Sequence, residues 1–243
     1  MSLVHIATRC PSDWRSRLGD PEKHWRRKYS AMETAISWEL AAHTNSGMPK
    51  PISKLFQASE LTNPKLLLAI AEHKVPLMGK GGDAQCDVWA LADTDAGLVS
   101  ISVEAKAREP FGSKNESLED WLKGGKSANS GENREKRWHH IKANLPPLAN
   151  RAYHHVPYQI LQRAAAGVIE ARRFKLSHAV FLVQAFNAPK ESFEMYTRFA
   201  GALGVNASRD ELAYTSVDNI QFGIGWADCP FASDTEYTSA KTN

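Results

Sequence analysis

Residues 85–107 constrain the fold most, because they carry the pattern of a β-hairpin. Residues 85–92 are rich in apolar side chains, and the Asp-Thr-Asp-Ala-Gly stretch at residues 93–97 is a turn signal. Residues 98–107 then alternate between two faces, one with Leu98, Ser100, Ser102, Glu104 and Lys106 and the other with Val99, Ile101, Val103 and Ala105. We therefore predict two antiparallel strands joined by a tight polar turn.

Helical and apolar patterns flank this hairpin on both sides. Before it, helices are predicted over residues 30–42, 51–60 and 63–73, of which the first has a Ser30–Glu33 capping box and the third an Asn63-Pro64 start. After it, helices are predicted over residues 116–122, 134–144, 157–174 and 191–203, and strands over residues 178–186 and 221–226. This order predicts an α/β fold with a mixed central sheet flanked by helices.

The length of 243 residues favours one domain with a substantial core. We expect this domain to span residues 1–231, with its core at about residues 30–186 and a helical and loop insertion at about residues 108–155. Residues 232–243 are small and polar and are predicted to be a disordered tail.

Cysteine usage and hydropathy predict a cytoplasmic protein. The three cysteines are far apart and lack C-x-x-C spacing, which argues against a zinc ribbon or a disulfide framework. No apolar run reaches the length of a membrane span, and Arg9 and Asp13 stand where a signal peptide needs apolar residues. The formal charge of +3 does not by itself indicate a nucleic-acid partner.

Two carboxylates and a lysine are expected to converge at the end of the hairpin. Glu104 and Lys106 share a face because side chains in a strand alternate, and the hairpin can bring Asp87 beside them. Buried carboxylates need a partner. Two solutions stay open, namely a salt bridge from Lys106 to one of the carboxylates, or a divalent cation between the carboxylates with the lysine beside it. Such a cation would activate water and neutralise charge on a phosphate.

The tripeptide spacing alone carries little information. An E-x-K triplet is expected roughly once by chance in a chain of this size, and Glu72-His73-Lys74 is a second copy. It follows the apolar run at residues 66–71, which is predicted to be helical. We interpret it as a solvated helix end, with Lys74 near the negative end of the helix dipole.

The order of motifs resembles that of a known enzyme superfamily. With Asp87 ahead of Glu104-Ala105-Lys106 at a strand end, a helix before and a helix and strand after, residues 30–186 resemble the PD-(D/E)xK nucleases. The resemblance implies a restriction-endonuclease-like αβββαβ core and Mg²⁺- or Mn²⁺-dependent cleavage of nucleic acid, most readily DNA. It further implies that Asp87, Glu104 and the backbone carbonyl of Ala105 are metal ligands and that Lys106 is the catalytic lysine.

The resemblance also suggests two supporting positions. Many members contribute a carboxylate from the first helix, and Glu39 is preferred over Glu33 because Glu33 has a local role in the predicted capping box. Many also place a Gln, Arg or Tyr on the helix after the third strand. Gln159 is the preferred catalytic candidate there, and Arg163 lies one turn further on the same face.

Cations mixed with aromatic residues indicate nucleic-acid contacts. Such groups occur beside Trp25 and Trp138, although acidic residues in the second group leave a plain solvated face open. The predicted contacts are Arg26, Arg27, Lys28, Arg134, Arg137 and Arg163. Cleavage of both strands would favour a two-fold homodimer, for which the sequence has no marker.

Two other functions fit the same sequence. The first is a nuclease-fold protein that binds nucleic acid without cutting it, in which Asp87, Glu104 and Lys106 form a buried ion pair. The second is an α/β module that binds a protein or a small molecule.

Overall fold

The computed structural model describes residues 5, 7–112, 116–124, 127–147 and 152–242. Its strands are β1 (Lys65–Val75), β2 (Ala84–Thr94), β3 (Gly97–Lys106), β4 (His178–Phe186), β5 (Leu212–Val217) and β6 (Ile220–Cys229). They form one six-stranded mixed sheet in the order β1-β2-β3-β4-β6-β5. The predicted α/β class with a mixed central sheet is therefore confirmed.

The helices are α1 (Pro11–Arg15), α2 (Pro21–His24), α3 (Ser30–Ala41), α4 (Lys50–Gln57), α5 (Leu118–Lys123), α6 (Ala128–Lys142), α7 (Tyr158–Phe174), α8 (Lys190–Ala202) and α9 (Asp234–Thr242). Two hydrophobic cores lie between the sheet and the helices that pack on it. Leu161, Phe181 and Tyr196 belong to the core under α7 and α8. Trp38 and Ile52 belong to the core under α3 and α4. Helices thus cover both faces of the sheet, as predicted.

The sheet places its antiparallel and parallel parts side by side. Strands β1, β2 and β3 form an antiparallel meander, in which β2 and β3 are the predicted hairpin. Strand β4 runs parallel to β3 after the crossover through α7, and β6 runs parallel to β4. Strand β3 is therefore central, and β1 is an edge strand.

The predicted helix at residues 63–73 is wrong, because residues 65–73 belong to β1. Leucine and alanine favour a helix, and Asn63-Pro64 is a good helix start. Pairing with β2 overrides this local preference along the whole strand, from Lys65 opposite Asp93 to Val75 opposite Ala84. The interpretation of Glu72-His73-Lys74 as a helix end is wrong for the same reason.

The predicted disordered tail is also wrong over residues 234–242, which form α9. Ser233 and Glu236 make a capping box, in which Ser233 Oγ accepts from the Glu236 N–H at 3.2 Å and Glu236 Oε2 accepts from the Ser233 N–H at 2.7 Å. Ala240 packs with Met32 and Ile36 of α3. The partly buried Tyr237 packs against the same cluster, so tertiary contacts anchor the helix, and composition alone did not indicate them.

The region between β3 and α7 contains α5 and α6, within the predicted insertion. Residues 113–115, 125–126 and 148–151 of this region lie outside the described residues. None of the helices in the described part of the chain has both the length and the apolar character needed to cross a membrane.

Candidate functional site

The candidate site lies where β2 and β3 separate. Their ladder ends at the Val88–Val103 pair, so Asp87 and Glu104 are the next residues in register. The Ala105 N–H donates to Asp87 Oδ2 at 2.6 Å, in place of a ladder bond to β2. On its other side β3 stays paired with β4 as far as Lys106. The end of β3 is thus held rigidly by β4 while its β2 side opens.

A buried ion-pair network surrounds Glu104. Lys106 Nζ lies 2.6 Å from Glu104 Oε1, and Arg163 Nε lies 2.9 Å from Glu104 Oε2. Glu104 is 2% exposed and Lys106 is 4% exposed. Of the two solutions left open by the sequence, the structure contains the salt bridge between Lys106 and Glu104, with Arg163 added to it.

Close helix packing places Arg163 in this network. Helix α7 lies against the face of β3 that carries Ser100, Ser102 and Glu104. Ser100 Oγ donates to the Gly167 carbonyl at 2.8 Å. A Cβ on Gly167 would lie only 2.7 Å from Ser102 Oγ, so glycine allows the helix to approach. Arg163, one turn before Gly167, then reaches Glu104.

The pKa values of the two carboxyl groups of the site, Asp87 and Glu104, are shifted in opposite directions. Burial opposes ionisation of Glu104, but Lys106 and Arg163 outweigh it and hold the Glu104 pKa below its usual range. Burial, with the negative charges of Glu104 and Glu72, raises the pKa of Asp87 well above its usual range. Among the described residues, none forms an ion pair with Asp87. Asp87 is therefore the carboxyl group that a cation would stabilise most.

Sequence reasoning missed Glu72 as a neighbour of the site. Ala71 pairs with Val88 and His73 with Cys86, so Glu72 stands opposite Asp87. Glu72, Asp87 and Glu104 thus form one row across three strands. Burial, with the Glu104 charge, raises the Glu72 pKa to about 7, although the Gln85 amide donates to Glu72 at 2.5 Å. Because β1 was predicted to be a helix, the prediction contained no β1–β2 register from which to place Glu72 beside Asp87.

A cleft of about 640 Å³ opens onto the site. It brings together the predicted catalytic and metal-binding residues Asp87, Glu104, Ala105, Lys106 and Gln159. Cationic side chains from Lys23, Lys28 and Arg108 also line it. The buried Gln159 Oε1 has no hydrogen-bond partner in the described part of the chain, so it is available to a ligand.

Glu39 is not part of this cleft, contrary to the prediction. Its carboxylate accepts from the Trp14 indole at 2.6 Å. The capping box predicted for Glu33 is also absent, because Tyr29 is the N-cap residue and makes no side-chain cap bond. Glu33 instead accepts from Arg27 Nε at 3.1 Å and from the Lys28 N–H at 2.8 Å. Contacts with the loop before α3 have replaced the predicted capping bond.

Two of the predicted nucleic-acid contacts are accessible. Lys28 lines the cleft, and the exposed Arg26 donates to the Glu22 carbonyl at 3.3 Å. Arg27 is only partly exposed, and it forms ion pairs with Glu33 and with Asp234, the latter at 3.2 Å.

The other three predicted contacts are structural. Arg137 is buried and donates to Tyr158 Oη at 2.6 Å. Arg134 donates to the Trp121 carbonyl and lies 5.0 Å over the Trp121 ring. Arg163 belongs to the buried network of Glu104. Cations beside aromatic residues fit interior stacks as well as nucleic-acid surfaces, and here packing accounts for them.

The residues present can accommodate only a sparsely ligated metal. No group of three or more His, Cys, Asp or Glu residues within the described ranges is arranged to hold one. Asp87, Glu104 and the Ala105 carbonyl remain as donors. The Ala105 N–H points towards β2, and the carbonyl of a strand residue points to the same side. This set fits Mg²⁺, which keeps several waters and takes one or two carboxylates, provided that Glu104 releases a cation contact.

Comparison with known proteins gives a family without a function. The model of a family described as Domain of unknown function (DUF6946) matches residues 7–230, so the chain belongs to that family. No curated protein and no solved structure gives a significant match.

Proposed function

We propose that this protein is a metal-dependent nuclease that hydrolyses phosphodiester bonds of DNA in the cleft at the end of β3. One observation carries the proposal. A carboxyl group without an ion-pair partner among the described residues, Asp87, stands beside the Glu104–Lys106 pair in a cleft lined by further cations. Carboxyl oxygens at the strand ends and positive charge on the walls suit a cation and a phosphate, respectively.

The element order supports a restriction-endonuclease-like core. From α3 the chain continues through α4 to β1, β2 and β3, then through α5, α6 and α7 to β4. With α4 taken as an addition before β1, and α5 and α6 as an insertion after β3, this is the αβββαβ order of the PD-(D/E)xK nucleases. Strand β1, which was predicted to be a helix, is the first of the three consecutive strands.

The residues of the cleft have distinct roles in this proposal. Asp87, Glu104 and the Ala105 carbonyl would hold Mg²⁺ or Mn²⁺, which when bound supplies an activated water and neutralises phosphate charge. Lys106 orients the attacking water or stabilises charge on the phosphate through its amine. Gln159 offers a buried oxygen that accepts a hydrogen bond from water or substrate. Positioning and charge carry most of such a reaction.

The proposed setting is the cytoplasm, where Cys10, Cys86 and Cys229, all free, suit a reducing environment. If both strands of a duplex are cut, we propose that a two-fold homodimer does so, because two sites then face the two strands.

A non-catalytic nucleic-acid-binding protein is the second candidate, and one observation favours it. Both oxygens of Glu104 already contact cations, and Glu104 and Lys106 are almost fully buried. The ion pair is therefore complete without a metal.

Cleavage of labelled DNA with Mg²⁺, with Mn²⁺ and with a chelator separates these candidates. The nuclease proposal predicts that DNA is cleaved only when metal is present. It also predicts that Asp87→Asn lowers the cleavage rate by about 10²- to 10³-fold. Asp93→Asn, an exposed position on the same strand, is the matched control and should retain activity. Binding of DNA without cleavage under any of these conditions would favour the second candidate.

A further inference from the structure

An exposed aromatic ring stands at the mouth of the cleft. Tyr29 is 41% exposed and lines the cleft that also contains Asp87 and Lys106. Within the described residues its ring stacks on no other ring and its hydroxyl has no hydrogen-bond partner. The ring face is therefore open to a flat ligand.

Cationic residues line the cleft together with this ring. They are Lys23 and Lys28, and Arg108, which follows β3. In the described part of the chain, the side chains of these three residues form no ion pair. Unpaired cations next to an open aromatic ring are the combination with which proteins hold single-stranded nucleic acid.

The loop that carries Lys28 and Tyr29 has a fixed shape. Lys28 has a φ of 64°, in the left-handed region that costs a residue other than glycine roughly 1 kcal/mol or more. Glu33, which is buried, holds this conformation by accepting from the Lys28 N–H at 2.8 Å. The same carboxylate accepts from the Ala232 N–H at 2.8 Å, ahead of α9. A ligand therefore meets a preformed surface.

The size of the cleft restricts the ligand. Its volume of about 640 Å³ is in the range of small-molecule sites and suits one or two nucleotides. Bases inside a duplex are stacked on one another, and an enzyme reaches their faces only in a single strand or after flipping. Stacking on Tyr29 therefore requires an unpaired base.

We infer that the α2–α3 loop is a subsite for single-stranded DNA, in which Tyr29 stacks on a base and Lys23 and Lys28 bind the neighbouring phosphates. The inference deepens the proposed function and rests on it for the nucleic-acid substrate. It assigns the protein to unpaired bases, as in single strands, frayed ends and flaps, and not to bases that stay stacked inside a duplex.

Equilibrium binding with a chelator present, which excludes cleavage, tests this subsite. The probes are a labelled 12-residue oligothymidylate, a duplex of equal length and an abasic strand of equal length. We expect Tyr29→Ala to weaken oligothymidylate binding by about 5- to 100-fold and to leave abasic binding unchanged. Tyr29→Phe and Tyr29→Trp should bind like the wild type, because a ring remains.

Two further variants separate stacking from charge. Lys28→Ala should weaken binding of both single strands and lower the salt slope by about 0.7. Phe174→Ala removes a ring that is 42% exposed and lies outside the cleft lining, so it should leave oligothymidylate binding unchanged.

The inference is overturned if Tyr29→Ala binds oligothymidylate as tightly as the wild type, if it loses abasic binding equally, or if the duplex binds as tightly as the single strand. Its failure is distinct from failure of the proposed function. Metal-dependent cleavage of duplex that Tyr29→Ala leaves unchanged would retain the nuclease and remove the subsite. Tyr29-dependent binding of oligothymidylate without cleavage under any metal would retain the subsite and remove the nuclease.

Discussion

The same Glu-x-Lys spacing occurs in a central strand and in an edge strand of this sheet, with different results. In β3, Glu104 and Lys106 are both buried and meet at 2.6 Å. In β1, Lys74 is exposed, and Glu72 bonds to the Gln85 amide instead. Strand β3 has a neighbouring strand on each side, whereas β1 lies at the edge of the sheet beside β2.

The two glutamates also differ in backbone and in ionisation. Glu72 has a φ of 53°, a left-handed conformation inside a strand. Its pKa is raised to about 7, chiefly by burial, whereas Lys106 and Arg163 overcome burial and lower the pKa of Glu104. Both residues belong to one cross-strand row, so the contacts of Lys106 and Arg163 with Glu104 account for the difference between the two pKa values. The Glu-x-Lys spacing by itself does not determine the pKa of the glutamate.

The largest expected difference in stability is between Glu104→Gln and Glu72→Gln. Loss of the Glu104 charge leaves Lys106 and Arg163 buried without a partner, which costs about 3–5 kcal/mol. Glu72→Gln should retain or gain stability, because the Gln85 amide can donate to an amide oxygen too. Urea unfolding of both variants measures the difference. Equal losses in the two variants would contradict the contrast between the strands.

A smaller effect is expected in the pH dependence of stability. Between about pH 4.5 and about pH 7 the folded protein keeps a proton on Glu72 that the unfolded chain has lost. The native state then binds more protons, so stability falls as pH rises through this window. Glu72→Gln should remove most of this fall, on the order of 3 kcal/mol, from about 1.4 kcal/mol per unit of pKa. Parallel stability curves for variant and wild type from pH 4.5 to pH 8 would refute the Glu72 assignment.

The smallest expected effect concerns the helix that covers β3. Gly167→Ala would place a Cβ 2.7 Å from Ser102 Oγ and lower stability by about 1–2 kcal/mol. Gly131→Ala in α6, where no atom lies within 4 Å, should gain up to about 1 kcal/mol from helix propensity. Thermal unfolding of the two variants compares them directly. A stable Gly167→Ala protein would mean that α7 does not constrain the end of β3.

The parts of the fold that local patterns determine could be predicted from the sequence. Strict alternation in residues 98–107 and a polar turn at residues 93–97 indicate the β2–β3 hairpin, and the structure confirms it. The run from Leu66 to Ala71 lacks such alternation, and only pairing with β2 makes it a strand. Tertiary pairing thus determined what local preference could not.

The candidate site could be predicted in part for the same reason. Asp87, Glu104 and Lys106 meet because strand period and hairpin register are local properties. Glu72 could not be found without the β1 register. The burial of Arg137 depends on contacts with Tyr158 and the Gly82 carbonyl, 21 and 55 residues away in the chain.

The rate of Mg²⁺-dependent cleavage in Lys106→Met and Lys74→Met tests the central claim most directly. These variants remove the lysine from the same triplet in the central strand and in the edge strand. If the end of β3 is the active site, Lys106→Met lowers the rate by about 10²- to 10³-fold, whereas Lys74→Met stays within about twofold of the wild type. Full cleavage by folded Lys106→Met, or an equal loss in both variants, would contradict the account.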